Sequence, residues 1–211
     1  MDDIENIVYS PKVLEFVVVA NEYCIFLENV EDLNLKDFID KAHKILPLLY
    51  QKAVMLPHIE STFDDSNEKF VDEYEYNQIF ETLRKKLGQY DAYQEVFDPL
   101  MQESEEPVSA SLAEDFSDIF QDLKDFLLLY RISTNEVMND ALWECQQNFE
   151  EYWGQKLTNA MRALHNLRYG NYNLEEHAPE HDDNDNDTDY NDIDTNSWFI
   201  SRRQEDFRNE E

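Results

Sequence analysis

From Asn135 to Tyr169 the chain reads NEVMNDALWECQQNFEEYWGQKLTNAMRALHNLRY, and its larger apolar residues recur in steps of three and four. Val137, Met138, Ala141, Leu142, Cys145, Phe149, Tyr152, Trp153, Leu157, Ala160, Met161, Leu164 and Leu167 form one continuous stripe, which predicts a single long helix. A stripe of that length needs partners to bury it, so the rest of the chain has to supply further apolar helix faces.

It does. Ser10 followed by Pro11 predicts a helix start, and the run VLEFVVVANEYCIFLENV carries apolar residues on more than one face, as a central, surrounded helix would. Asn34 caps a second helix that extends to Pro57, with Pro47 inside it and a kink expected near Lys44 to Pro47. After an acidic connection over His58 to Asp72, with a helix start at Ser66, a third helix spans about Val71 to Leu87. It puts Tyr74, Ile79, Phe80, Leu83 and Leu87 inside, and Gly88 closes it. Tyr90, Tyr93 and Phe97 are expected to cover an end of the bundle, and Gln102 to Ala110 reads as an internal linker. Capping boxes at Ser111 to Glu114 and Ser133 to Glu136 open the fourth helix and the long fifth one. The fold class is therefore all-α: a bundle of about five helices over residues 1–172, followed by an acidic tail over 173–211.

The formal charge of minus 31, from 48 acidic and 17 basic residues, restricts partners. About minus 11 lies after Leu174 and minus 20 before it. Phosphate backbones and anionic lipid surfaces are repelled by such a field, so no direct nucleic-acid or membrane binding is expected. Cys24 and Cys145 lie inside apolar helical patterns and read as free core thiols. The start MDDIENIVYSPK has no basic segment and Val13 to Ala20 is too short to span a bilayer, so no targeting segment or anchor is expected and the location is read as cytoplasmic.

Four blocks, VANEYCIFLE (Val19 to Glu28), ILPLLYQKAVMLP (Ile45 to Pro57), QYDAYQEVFDP (Gln89 to Pro99) and ALWECQQNFEEYWGQKLTNAMRALH (Ala141 to His165), carry a resemblance. The chain resembles a family of acidic helical bacterial proteins known as domain of unknown function 5063, over about Val13 to Tyr169. The resemblance implies an all-helical fold in a bacterial cytoplasm and transfers no activity, cofactor or site residue.

No catalytic motif is evident: three glycines leave no room for a phosphate-cradling loop or a nucleophile elbow, and no cofactor is expected. The residues considered for a site between helices are Glu22, Asp40, His43 and His165. His165 is placed within reach of Glu22 or Tyr23, and Asp40 and His43 stand at i, i+3. Past Gly170 the polar tract with Asp183, Asp185, Asp187 and Asp189 lacks the glycine and the flanking helices of a calcium loop. The final stretch gathers Trp198, Phe199, Ile200 and Phe207 with Arg202 and Arg203, the composition of an aromatic and arginine docking motif. The leading expectation is thus a non-enzymatic interaction module whose tail docks on a basic protein partner or on the protein itself. The alternatives are a small enzyme or metal-dependent protein with a site between helices, and a mimic of DNA charge displaying carboxylate rows along one face.

Overall fold

A computed structural model describes residues 2–63, 67–94 and 108–174, all within the compact unit Met1–Pro179. The elements are α1 (Asp2–Val8), α2 (Pro11–Glu28), α3 (Leu35–Val54), α4 (Glu73–Leu87), β1 (Ala92–Gln94), β2 (Ser109–Ser111), α5 (Leu112–Ile132), α6 (Asn135–Asn148) and α7 (Gly154–Tyr169). A π-helical turn over Phe149–Trp153 joins α6 to α7 without leaving helical backbone, so the long helix is one rod with a single wide turn in it. The fold is all-α, as its apolar periodicity predicts.

The centre belongs to α5, which packs against α2, α4, α6 and α7. Phe116, Ile119, Phe120, Leu123 and Phe126 are all buried along it. Aromatic rings tie the layers: Phe16 lies 5.5 Å from Phe126 and Phe38 lies 5.3 Å from Phe116, in tilted geometries that favour ring edges on faces. Helix α2 is also buried on several faces and runs antiparallel to α3, with Glu15 bonded to Lys52 near one end and Phe26 stacked on Phe38 near the other. Apolar burial at about 25 cal/mol per Å² makes this core the main source of stability. Its two thiols, Cys24 and Cys145, are free and buried.

The helix ends follow their local chemistry in most places. Asn34 Oδ1 accepts from the Asp37 amide at 2.8 Å, Asp72 accepts from Glu75 at 2.8 Å, and Ser111 Oγ accepts from Glu114 at 3.1 Å. Gly88 closes α4 at φ 53°, a conformation that suits glycine. Helix α3 continues through Pro47, which leaves the His43 carbonyl without its usual amide donor.

Several expectations are corrected. Among the described residues there are six α-helices when the joined rod counts as one, because DDIENIV forms α1 and docks on α6, with Tyr130 donating to the Val8 carbonyl at 2.6 Å. The long rod starts from Thr134, one residue after the Ser133 box. Tyr74 points outward, at 78% exposure. Part of the expected linker is strand: Ala92 to Gln94 pairs antiparallel with Ser109 to Ser111. The Ser66 helix start, Phe97, the aspartate run and the Trp198 to Phe207 segment lie outside the described residues. Among the described residues, no helix is long and apolar enough to cross a membrane.

Candidate functional site

Helix α5 carries Asp115, Asp118, Asp122 and Asp125, spaced three, four and three, so one helix face presents a row of carboxylates to its neighbours. Asp115, Asp118 and Asp125 are buried. A buried carboxylate is tolerable only when donors surround it, and each of these has them.

At the N-terminal end of the row, Asp118 accepts from Tyr76 of α4 at 2.7 Å and from Tyr152 of the π turn at 2.5 Å, and it pairs with Lys156 of α7 at 2.8 Å. Asp115 accepts from Tyr93 of β1 at 2.5 Å and lies 3.5 Å from Lys156. Burial and the bond to Asp118 push the Tyr76 hydroxyl far above its ordinary range, and the same causes push Tyr152 up to about 12. Burial alone would lower Lys156, but its contacts with Asp118 and Asp115 outweigh this and raise it. Phenols that stay protonated and an ammonium that stays charged are fixed donors. None of them is a base or nucleophile near neutral pH.

The other end of the row holds the connection between α3 and α4. Asp125 accepts from the Phe70 and Val71 amides at 2.8 and 2.9 Å, and Asp140 of α6 accepts from Thr62 and Phe63 at 2.6 and 2.8 Å. Asn139 donates to the Glu60 carbonyl at 2.8 Å, and Lys69 pairs with Glu144 at 3.0 Å. Carboxylates thus replace the backbone partners that this irregular segment lacks. Between them, Lys69, Asp122, Asp125, Glu144, Cys145 and Asn148 line a cavity of about 10 Å³, room for about one water. Burial pushes the Asp122 carboxyl up to about 6; Lys69 and the 2.9 Å bond from Asn148 oppose this, and Asp125 and Glu144 add to it.

The sequence candidates meet only in part. Asp40 and His43 of α3 and His165 of α7 do converge, on an antiparallel seam where the two imidazoles sit 5.7 Å apart and Tyr169 packs on both, at 5.4 and 4.8 Å. Asp40 is engaged there by Arg168. Glu22 does not join them: it is exposed on α2, and neighbouring Tyr23 donates instead to the Phe116 carbonyl at 2.9 Å. Among the described residues, no group of three or more histidine, cysteine and acidic side chains is placed to hold a metal. Trp198, Phe199, Ile200, Arg202, Arg203 and Phe207 lie outside the described residues.

From the sequence alone the α5 aspartates carry no signal of a role: they alternate with apolar residues, as the exposed positions of an amphipathic helix do. The 3, 4, 3 spacing places the four aspartates on one helix face but does not say whether that face meets water or other helices.

The arrangement defines a class: a helical bundle whose internal carboxylates act as clamps on tyrosines, one lysine and a strap of backbone. The chain belongs to the family described as domain of unknown function (DUF5063), whose model matches residues 7–170. It is similar to protein BF1032 from Bacteroides fragilis, known from a crystal structure, with 42% identity and a TM-score of 0.69 over 78% of this chain and 96% of that one. No curated protein matches.

Proposed function

We propose that this protein is a non-enzymatic interaction module of the bacterial cytoplasm. Its acidic body offers a negative surface to a basic protein partner, and Trp198, Phe199, Ile200, Arg202, Arg203 and Phe207 supply the anchoring contacts. The observation that carries this reading is the commitment of the internal carboxylates: Asp115, Asp118, Asp125 and Asp140 are all bound to fixed internal donors. Asp122, shifted towards neutrality, faces a space too small for a substrate. The buried position of the α5 row also argues against charge mimicry of DNA, which needs such rows on display.

Affinity capture from lysate of the source cells tests the reading, comparing the full chain with one ending at Asn173 at low and moderate salt. A basic protein retained by the full chain and lost with the shortened one supports it. Equal retention by both, or no specific retention by either, removes it.

The meeting of His43 with His165 favours a second reading, acid–base chemistry at the α3–α7 seam. Asp40 is held there by Arg168, and among the described residues no carboxylate is bonded to either imidazole. A substrate screen that loses turnover on His165→Gln would support this second reading over the first.

A further inference from the structure

Acidic residues are spread through this chain except in two places. Residues 41–59 and 152–174 contain none, and they are its two longest stretches without a carboxylate. The first runs from within α3 to Ile59, the second contains α7, and the two helices pack together. Six of the 14 lysines and arginines that precede Leu174 fall in these stretches: Lys41, Lys44, Lys52, Lys156, Arg162 and Arg168. Lys52, Lys156 and Arg168 are paired to Glu15, Asp118 and Asp40. Arg162 is exposed and has no carboxylate partner among the described residues.

Arg162 and His165 form a ridge shared by two depressions. One, of about 370 Å³, is lined with His43, Pro47 and Met161 on the α3 side. The other, of about 480 Å³, lies between β1 and α7 and is lined by Tyr93, Gln94, Asn159 and Asn166 along with the ridge. Both are of the size that holds a small ligand. The second has a lining about evenly polar and apolar, and it brings several donors together: a guanidinium, an imidazole and the amides of Gln94 and Asn166. Asn166 gives one amide N–H to the Tyr172 hydroxyl at 3.1 Å, and a side-chain amide has two.

Among the described residues, the carboxylates that adjoin β1 and the start of α5 are occupied. Asp91 accepts from Ser111 and the Ala113 amide, and Asp115 accepts from Tyr93. At physiological salt, charges more than about 8 Å away are largely screened, so local composition outweighs the net charge at such a site.

We propose that the depression between β1 and α7 binds a small molecule through an oxyanion, a phosphate or carboxylate group, with Arg162 as the charged clamp and His165, Asn166 and Gln94 as flanking donors. A guanidinium pairs with such groups through two parallel N–H bonds, and Arg162 lines the depression. The site is independent of the docking surface proposed above.

The test is a titration of the full-length isotope-labelled protein with inorganic phosphate and, separately, with citrate, at constant ionic strength and followed by NMR. Saturable shifts confined to Arg162, His165, Asn166 and Gln94 are expected with at least one probe, and the tighter probe identifies the group. Arg162→Gln should weaken binding by about tenfold, the loss of one charge-assisted contact. Lys85→Gln, which removes the same charge from the exposed end of α4, should leave it unchanged. No saturable shift with either probe up to about 20 mM, a concentration beyond that of the weakest specific sites, overturns the proposal. So does equal weakening by Lys85→Gln, which would reduce the effect to general electrostatics.

Discussion

Asp122 and Gly154 show how much a single position decides here. The Asp122 carboxyl is raised from 3.8 to about 6, so between these values the folded protein holds more protons than the unfolded chain. Stability therefore falls as pH rises from about 4 to 6, by up to about 3 kcal/mol, and is level above that. Asp122→Asn removes the buried charge and keeps an oxygen facing Asn148. It should stabilise the protein at pH 7 by about 1–2 kcal/mol, with the gain shrinking to nothing near pH 4; this is read from denaturant midpoints across pH. Gly154 follows the π turn, where a Cβ would stand 2.3 Å from the Phe149 carbonyl oxygen and 2.9 Å from its ring. Glycine to alanine inside a helix ordinarily stabilises by about 1 kcal/mol. Here Gly154→Ala should instead destabilise by about 1–3 kcal/mol, the cost of forcing atoms into a filled space. An increase in the unfolding midpoint would show that the wide turn relaxes to ordinary helix without cost.

The strap between α3 and α4 makes the same point for an element. Its described residues form no helix or strand, yet Leu56, Ile59 and Val71 are buried and the amides of Thr62, Phe63, Phe70 and Val71 are bonded to Asp140 and Asp125. Asp140→Ala should speed hydrogen exchange at Thr62 and Phe63, and Asp125→Ala at Phe70 and Val71, each by about tenfold or more if one to two kcal/mol of local protection is lost. Exchange that changes across α5 and α6 instead would mean the aspartates support the whole bundle and not the strap. The helices were legible in sequence because burial writes a period of 3.6 into the apolar residues, as in Leu112, Phe116, Ile119, Phe120 and Leu123. Helix α1 was not, since seven residues hold too few turns to show a period. The pairing of Ala92 to Gln94 with Ser109 to Ser111 depends on a contact distant in sequence, and three-residue strands carry no alternation to read. For the candidate site, the convergence of Asp40, His43 and His165 was partly visible, and the clamps were not. Nothing local distinguishes an aspartate facing Tyr76 and Lys156 from one facing water.

At the scale of the molecule, the charge divides by role. Part of it is internal and structural, set against tyrosine hydroxyls, Lys156 and strap amides. The remainder gives the body its negative field, interrupted on the α3–α7 face by two stretches without carboxylates. On the proposed function, folding and binding fall to different residues, and one crossed measurement tests that separation: unfolding midpoint and partner retention for Asp118→Asn beside the double variant Trp198→Ala, Phe199→Ala. Asp118→Asn should lower stability by about 1–3 kcal/mol, because the site loses one of its two acceptor oxygens and the charge that pairs with Lys156, and keep the partner. The double variant should keep its midpoint and lose the partner. Loss of the partner with Asp118→Asn at a temperature where that variant is folded, with binding intact in the double variant, would contradict the separation and place function in the buried row.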